Sequence, residues 1–314
     1  MVRAMATILV LTPNTLLDHL AVGTFTSGTT NRVDRFTPIA GGKGLNVGRV
    51  LARHGHRVIA CGFAGGDSGA RLSELTQADG LESAFTHTTT RTRVGFCVAD
   101  PKGKTSAAIE GGFAVEPKEV GQLVQDVQAR LAGCQLVIGC GSVPDATCNS
   151  LYRLVLAACA QAGVPCWIDA YGPAMIEALT GGNPPAMSKP NRDEYDRDRA
   201  WLSTPELHLT DGSGSVHVRH PLGRFRVVPP TITQINPIGS GDCYIAALAH
   251  ARLNGLPLPE QLRYAAAAGA ANAARADVAR IGPSDITALA DHASVYPATD
   301  EPLHEAGFAN ANRQ

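Results

Sequence analysis

Short unbroken apolar runs alternate along the chain with longer stretches whose apolar positions recur at helical spacing. "ATILVL" (6–11), "RVIACGF" (57–63), "CQLVIGCGS" (134–142) and "VPCWIDA" (164–170) predict buried strands. "GLNVGRVLARHG" (44–55), "EPKEVGQLVQDVQARLAG" (116–133) and "DATCNSLYRLVLAACAQAG" (145–163) predict amphipathic helices, each closing on glycine. Such alternation predicts an α/β fold with a mostly parallel central sheet covered by helices on both faces. A helical pair, "CYIAALAHARLNG" (243–255) and "EQLRYAAAAGAANAARADVA" (260–279), fills the last third. With no internal repeat or low-complexity linker, residues 1–314 are expected to form one domain with a weakly ordered tail from about residue 300.

Two regions break the alternation, at about 19–42 and 92–112, and read as hairpins or short antiparallel strands. "DPKG" (100–103) supplies a turn between two strand-like runs in the second. Strands inserted there form either a small β lid over a site or an ordinary extension of the sheet.

Composition narrows the function. The 27 basic and 28 acidic residues nearly cancel, for a formal charge of -1, which leaves no electrostatic footprint for nucleic acid or an anionic membrane. Pro13 and Asn14 stop the first apolar run well below signal or membrane-spanning length, so a cytoplasmic protein is expected. The eight cysteines show no C-x-x-C pairing and sit mostly in apolar runs, which favours reduced core thiols over disulfides. Ten histidines show no metal-ligand spacing, so no structural zinc is expected, and His54 and His56 read as surface residues at a helix end.

Two glycine-rich helix mouths carry the candidate chemistry. In "AGGKGLNVGRVLARHG", Gly41, Gly42 and Gly44 surround Lys43 before a helix whose first turn holds Asn46. Glycines let backbone amides approach an anion, the helix start offers unpaired N–H groups, and the lysine adds full positive charge. The stretch does not match the G-x-x-x-x-G-K-[ST] phosphate loop. On its own, a glycine turn before a helix is more often structural than functional. In "NPIGSGDCYIAALAH", Gly239, Ser240 and Gly241 can turn their amides toward one point, with Asp242 beside it. The bland reading of Asp242 is an N-cap, but a cap needs no preceding glycines.

Together the two stretches resemble the signatures of the ribokinase-like (PfkB) carbohydrate kinases, and the resemblance extends to about Leu289. "LTPNTLLDH" near the start resembles the phosphosugar branch, which holds 1-phosphofructokinase, the minor 6-phosphofructokinase and tagatose-6-phosphate kinase. "GFAGGDSG", "GCGSVPD", "KPNRDEY" and "GAANAARADVARIGPSD" fall in the family's order. The resemblance implies a ribokinase-like fold with a small β lid and transfer of the ATP γ-phosphoryl group to a hexose phosphate. Fructose 1-phosphate comes first, then tagatose 6-phosphate or fructose 6-phosphate. It implies Mg²⁺, an optional monovalent cation, and a monomer or lid-mediated homodimer.

By the same resemblance, Asp242 would be the catalytic base, and the amides of Gly239, Ser240 and Gly241 would stabilise the transferring group. Asp18, Gly41, Gly42 and Asn46 would line the sugar pocket, and Lys43 and Arg93 would hold the phosphate already on the sugar. Asn191 and Glu194, in the N-x-x-E element, would organise Mg²⁺ through water. Lys189, Thr210, Gly212, Gly214 and Asn272 would join them around the nucleotide. The residues themselves also allow Asn191 and Glu194 simply to start a helix, and Arg93 to be a solvated strand residue.

The chain departs from the family in two places. Gly95 and Phe113 stand where phosphosugar members often carry a lid asparagine and an x-G-P turn after the acidic residue, here Glu110. Only "DRDRAWLSTPE" separates Tyr195 from the next core strand, where the family runs a long helical connector, and altered ATP handling is the expected consequence. Two rivals follow, a sugar-phosphate-binding protein with impaired nucleotide handling and a nucleoside or ribose kinase.

Overall fold

The computed structural model describes residues 5–100, 105–195 and 199–298. The buried runs form the strands expected of them: β1 Thr7–Thr12, then β2 Leu16–Val22 and β3 Thr37–Gly41, followed after helix α1 (Lys43–Arg53) by β4 Arg57–Ala64. Helix α2 (Gly66–Ala78), the short β5 Glu82–Ser83 and β6 Thr86–His87, then β7 Arg93–Ala99 and β8 Thr105–Ile109 follow. The middle of the chain runs α3 (Pro117–Gln128), β9 Leu136–Cys140, α4 (Leu151–Ala162), β10 Cys166–Asp169, α5 (Gly172–Thr180) and β11 Met187–Ser188. It closes with β12 Glu206–Leu209, β13 Val216–His220, β14 Gly223–Val228, α6 (Ser240–Leu253), α7 (Leu258–Ala273), α8 (Pro283–Ala290) and β15 Ser294–Pro297.

The main sheet has the order β15-β14-β13-β12-β11-β10-β9-β1-β4-β5 and is parallel from β12 to β5, with an antiparallel edge of β13, β14 and β15. Alternation along each central strand feeds two cores. Ile8 and Val10 of β1 pack with α1, α6 and α7, while Leu9 and Leu11 pack on the other face with α3 and α4. This two-sided burial is why the strands read as continuous apolar runs. The fold is α/β, with helices on both faces of a mostly parallel sheet.

The two interruptions form a second, four-stranded sheet, β3-β2-β7-β8. It begins at Leu16 rather than at residue 19, and it is not purely antiparallel: β2 and β7, from the two interruptions, pair in parallel at its centre. Being separate from the main sheet, it is a lid rather than a sheet extension. Most of the "DPKG" turn and the expected tail lie outside the described residues.

Two expectations about side chains meet different fates. All eight cysteines are buried and free, as a reduced core requires. His54 and His56 are not surface residues. They are 3% and 6% exposed, because α6 and α7 cover the end of α1: His54 meets the Tyr264 hydroxyl at 2.9 Å and His56 meets His250 at 2.9 Å. Among its described residues, the short link after Tyr195 forms a 3₁₀ turn, Arg199–Ser203, and no α-helix. Its Trp201 is 2% exposed in the core against Tyr195, and its carbonyl accepts from Arg219, so one buried indole anchors the shortened crossover.

Candidate active site

Parallel α/β sheets gather ligands at the carboxyl ends of their strands. Thr12, Cys140, Asp169 and Lys189, at or just beyond the ends of β1, β9, β10 and β11, line a cavity of about 1150 Å³. The lid contributes Asp18, Arg93 and Ile109 to its wall. Every expected site residue except Asn272 lines this cavity.

Both glycine-rich mouths open into it. Gly239 adopts φ +81°, and a Cβ there would lie 2.9 Å from Val278 Cγ1, so glycine is required for the elbow before α6. Gly42 has φ +127° at the start of α1, and a Cβ there would collide with Thr12. Neither helix has a side-chain cap; in α6 the Ser240 N–H donates to Pro237 O at 3.1 Å, while the next amides of the first turn remain available to an anion.

Asp242 is not an N-cap. It sits in the first turn of α6, buried, and its Oδ2 accepts from Asn46 Nδ2 at 2.8 Å. Burial pushes its carboxyl up to about 6, the nearby Asp169 adds to the rise, and Lys43, Asn46 and Lys189 oppose it. A carboxylate tuned toward neutrality in a cavity is suited to proton abstraction.

Lys43 lies among carboxylates: its Nζ is 3.1 Å from Glu194 Oε1 and 3.6 Å from Asp169 Oδ2. Burial would lower its pKa, but Asp169, Asp242 and Glu194 outweigh that and raise it, so it is a fixed cation. Arg93 stands apart on β7, donating to the carbonyl oxygens of Asn14, Thr15 and Glu110. It is therefore not a solvated strand residue. On β2, burial raises the Asp18 carboxyl, against the His19 amide, His19 and Arg93.

Asn191 and Glu194 form a reciprocal turn: the Asn191 N–H donates to Glu194 Oε2 at 3.0 Å, and the Glu194 N–H to Asn191 Oδ1 at 2.8 Å. The turn locks both side chains at the cavity wall but starts no α-helix. Asn272 plays a different part from the one expected. It is fully buried, donates to Ile238 O and Ser240 Oγ, and accepts from the Ala279 N–H, so it braces the elbow from behind.

A sequence profile described as pfkB family carbohydrate kinase matches residues 15–283. The chain is a pfkB family carbohydrate kinase. A tagatose-6-phosphate kinase of Staphylococcus epidermidis is 28% identical over 285 residues, covering 85% of this chain and 92% of that one. Among solved structures, a possible 1-phosphofructokinase from Thermotoga maritima superposes with a TM-score of 0.82 at 20% identity, covering 93% and 100% of the two chains. Phosphofructokinase-2 from Escherichia coli, in complex with substrates and products, gives 0.79 at 24%, covering 92% and 99%. Both structures attest the fold.

Sequence reasoning missed Asp169 in this kinase. Its two carboxylate oxygens are buried without a hydrogen-bond partner, between Lys43 and Lys189, each at 3.6 Å. The available signal was a lone carboxylate ending the apolar run "CWIDA", at the end of a strand where ligands collect. Also missed was the segment Val228–Gln234, much of which lines the cavity beside Thr210–Val216. At the first departure from the family, Gly95 leaves no side chain beside Asp18, whereas Phe113 is buried in the core. Glu110 is held by Arg91 at 2.7 and 2.9 Å.

Proposed function

We propose that this kinase phosphorylates a hexose phosphate from ATP, with fructose 1-phosphate as the first substrate and fructose 1,6-bisphosphate as product. The observation that carries the reading is the buried carboxylate of Asp242 beside an uncapped glycine elbow, in a cavity that also holds a separate cationic group, Arg93, on the lid. Asp242 takes the proton from the accepting hydroxyl, the amides of Gly239, Ser240 and Gly241 stabilise charge on the moving phosphoryl group, and Asp18 and Asn46 orient the sugar. Arg93 is a suitable reader of the phosphate already on the substrate, being a guanidinium held by carbonyls rather than by a carboxylate. For Lys43 to share that task it must leave Glu194 and Asp169.

Magnesium fits the site. The Asp169 oxygens, which accept no hydrogen bond and face Lys43 and Lys189 at 3.6 Å, and the Glu194 carboxylate are hard donors on the nucleotide side, and no cluster of three or more His, Cys, Asp or Glu side chains forms a cage among the described residues. That suits an ion carried largely by phosphates and water, with Asn191 and Glu194 ordering its shell. Such an ion supplies charge neutralisation at the transferred phosphoryl group. A monovalent cation is a further expected ligand, as a phosphofructokinase-2 neighbour is described in complex with potassium. No described helix is long and apolar enough to cross a membrane, in keeping with the cytoplasmic reading. The exposed Phe25, Phe36, Phe96 and Ile109 of the lid region suit a lid-mediated homodimer.

Tagatose 6-phosphate is the second reading, favoured by the curated relatives' names. Phosphorus NMR of the protein with Mg-ATP and either hexose phosphate tests both. A new phosphomonoester resonance on the sugar, rising with ADP, identifies the acceptor. ATP hydrolysis without a sugar bisphosphate, or no ATP consumption at all, would overturn the proposal.

A further inference from the structure

Arg49 on α1 is 1% exposed and makes three hydrogen bonds from three nitrogens. Nε donates to Asp79 Oδ2 at 2.7 Å, Nη2 to the lid carbonyl of Ala40 at 2.7 Å, and Nη1 to Asn46 Oδ1 at 2.9 Å. Neutralising Asp79 does not require all this, since Arg280 already lies 3.2 Å from its other oxygen. The contact to Asn46 has a chemical consequence. A guanidinium can only donate, so the Asn46 atom facing it must be the carbonyl oxygen. The amide NH₂ of Asn46 is then forced toward Asp242, where it donates at 2.8 Å.

We infer that Arg49 is a positioning residue for proton transfer: by locking the side-chain amide of Asn46 in one orientation, it holds the Asp242 carboxylate ready to accept the substrate proton. The inference rests on the reading of Asp242 as the base. Without the lock, Asn46 can turn its oxygen toward Asp242, which favours the protonated, inactive carboxyl. The same guanidinium binds Ala40, so the lid strand β3 and the base share one anchor. Other charged groups act on Asp242 independently of Arg49, namely Lys43 on α1, Asp169 after β10 and Lys189 after β11, with the thiols of Cys140 and Cys243 nearby.

Arg49→Lys keeps the charge but loses the three-way fork. We expect kcat to fall tenfold or more and KM for both substrates to stay within about threefold. The acidic limb of the kcat–pH profile should move up by about half a unit to one unit. In an Asn46→Ala background the same substitution should add little, because its route is already cut. A variant with wild-type kcat and limb overturns the inference. So does lost activity that tracks the folded fraction with an unmoved limb, or full additivity with Asn46→Ala, since either marks a merely structural arginine. Should Arg49→Lys not fold, Asp79→Asn, which frees Arg49 from its tether, is measured the same way: an upward limb supports the inference and an unmoved limb overturns it. If Asp242→Asn remains active, the base assignment fails; if only the Arg49 results fail, that assignment stands.

Discussion

Replacing Asp242 with Asn should damage catalysis and stabilise the protein, and the two effects have different pH dependences. Removing a general base costs on the order of 10²–10⁴ in rate. The stability effect follows from burial. The Asp242 carboxyl ionises at about 6 in the fold against 3.8 for the ordinary group, so the folded state resists its ionisation. A carboxyl raised on folding contributes stability below its unfolded pKa and loses it as pH climbs through the folded value. Working this through linkage, ionisation costs the fold roughly 3 kcal/mol at pH 8 and roughly half that at pH 5. Asn carries no such charge. Asp242→Asn should therefore raise Tm by roughly 3–6 °C at pH 8, by about half as much at pH 5, and by about a fifth as much near pH 4. Thermal melts across this range, beside initial rates at pH 8, give both readings. A pH-independent Tm difference, or more than about a tenth of the wild-type kcat, would refute the reasoning.

Arg93→Ala should raise KM for a hexose phosphate far more than for the free hexose, by roughly 10- to 100-fold, as one charge-assisted contact is lost; equal losses would remove it from phosphate recognition. Lys43→Ala should also raise that KM and, by removing a cation that lowers the Asp242 pKa, move the acid limb of kcat upward; an unmoved limb in the pH profile would count against this. Arg252→Ala should cost about 3–5 kcal/mol in urea unfolding at pH 7, because Glu206, whose ionisation the His208 and Arg252 bonds hold at about 2 despite burial, loses its bidentate partner. Since a depressed carboxyl stabilises above its unfolded pKa, that difference should shrink as pH falls below about 4.5. Mg-ATP and Mg-GTP should bind within about tenfold of each other in calorimetry. The cavity-lining residues Thr210, Gly212 to Val216, Val228 to Ile232 and Gln234 carry no charged side chain to read a base, Asp211 being paired with Arg192 outside the lining, and strong ATP selectivity would show otherwise.

What was legible in the sequence was local. The buried strands announce themselves because both faces of a central parallel sheet are covered, and the glycine elbows because a positive φ at Gly42 and Gly239 leaves little choice of residue. What was hidden depends on contacts between distant segments. His54 and His56 look like a frayed helix end until α6 and α7 close over them. Arg49 looks like one more polar position on α1, because its partners lie near residues 40 and 79. Asn272, 30 residues beyond Asp242, shows its bracing role only when α7 packs beside α6. The parallel pairing of β2 with β7 joins segments some 75 residues apart, and neither hairpin pattern states which edge will meet the other.

The central claim is that this kinase acts on a sugar already carrying phosphate. ADP release with saturating Mg-ATP, measured over fructose 1-phosphate, tagatose 6-phosphate, fructose 6-phosphate and the corresponding free sugars, with ribose and a nucleoside alongside, tests it most directly. The account predicts kcat/KM at least tenfold higher for a hexose phosphate than for its unphosphorylated parent. Faster turnover of a free sugar or a nucleoside, or no turnover of any hexose phosphate, would contradict it.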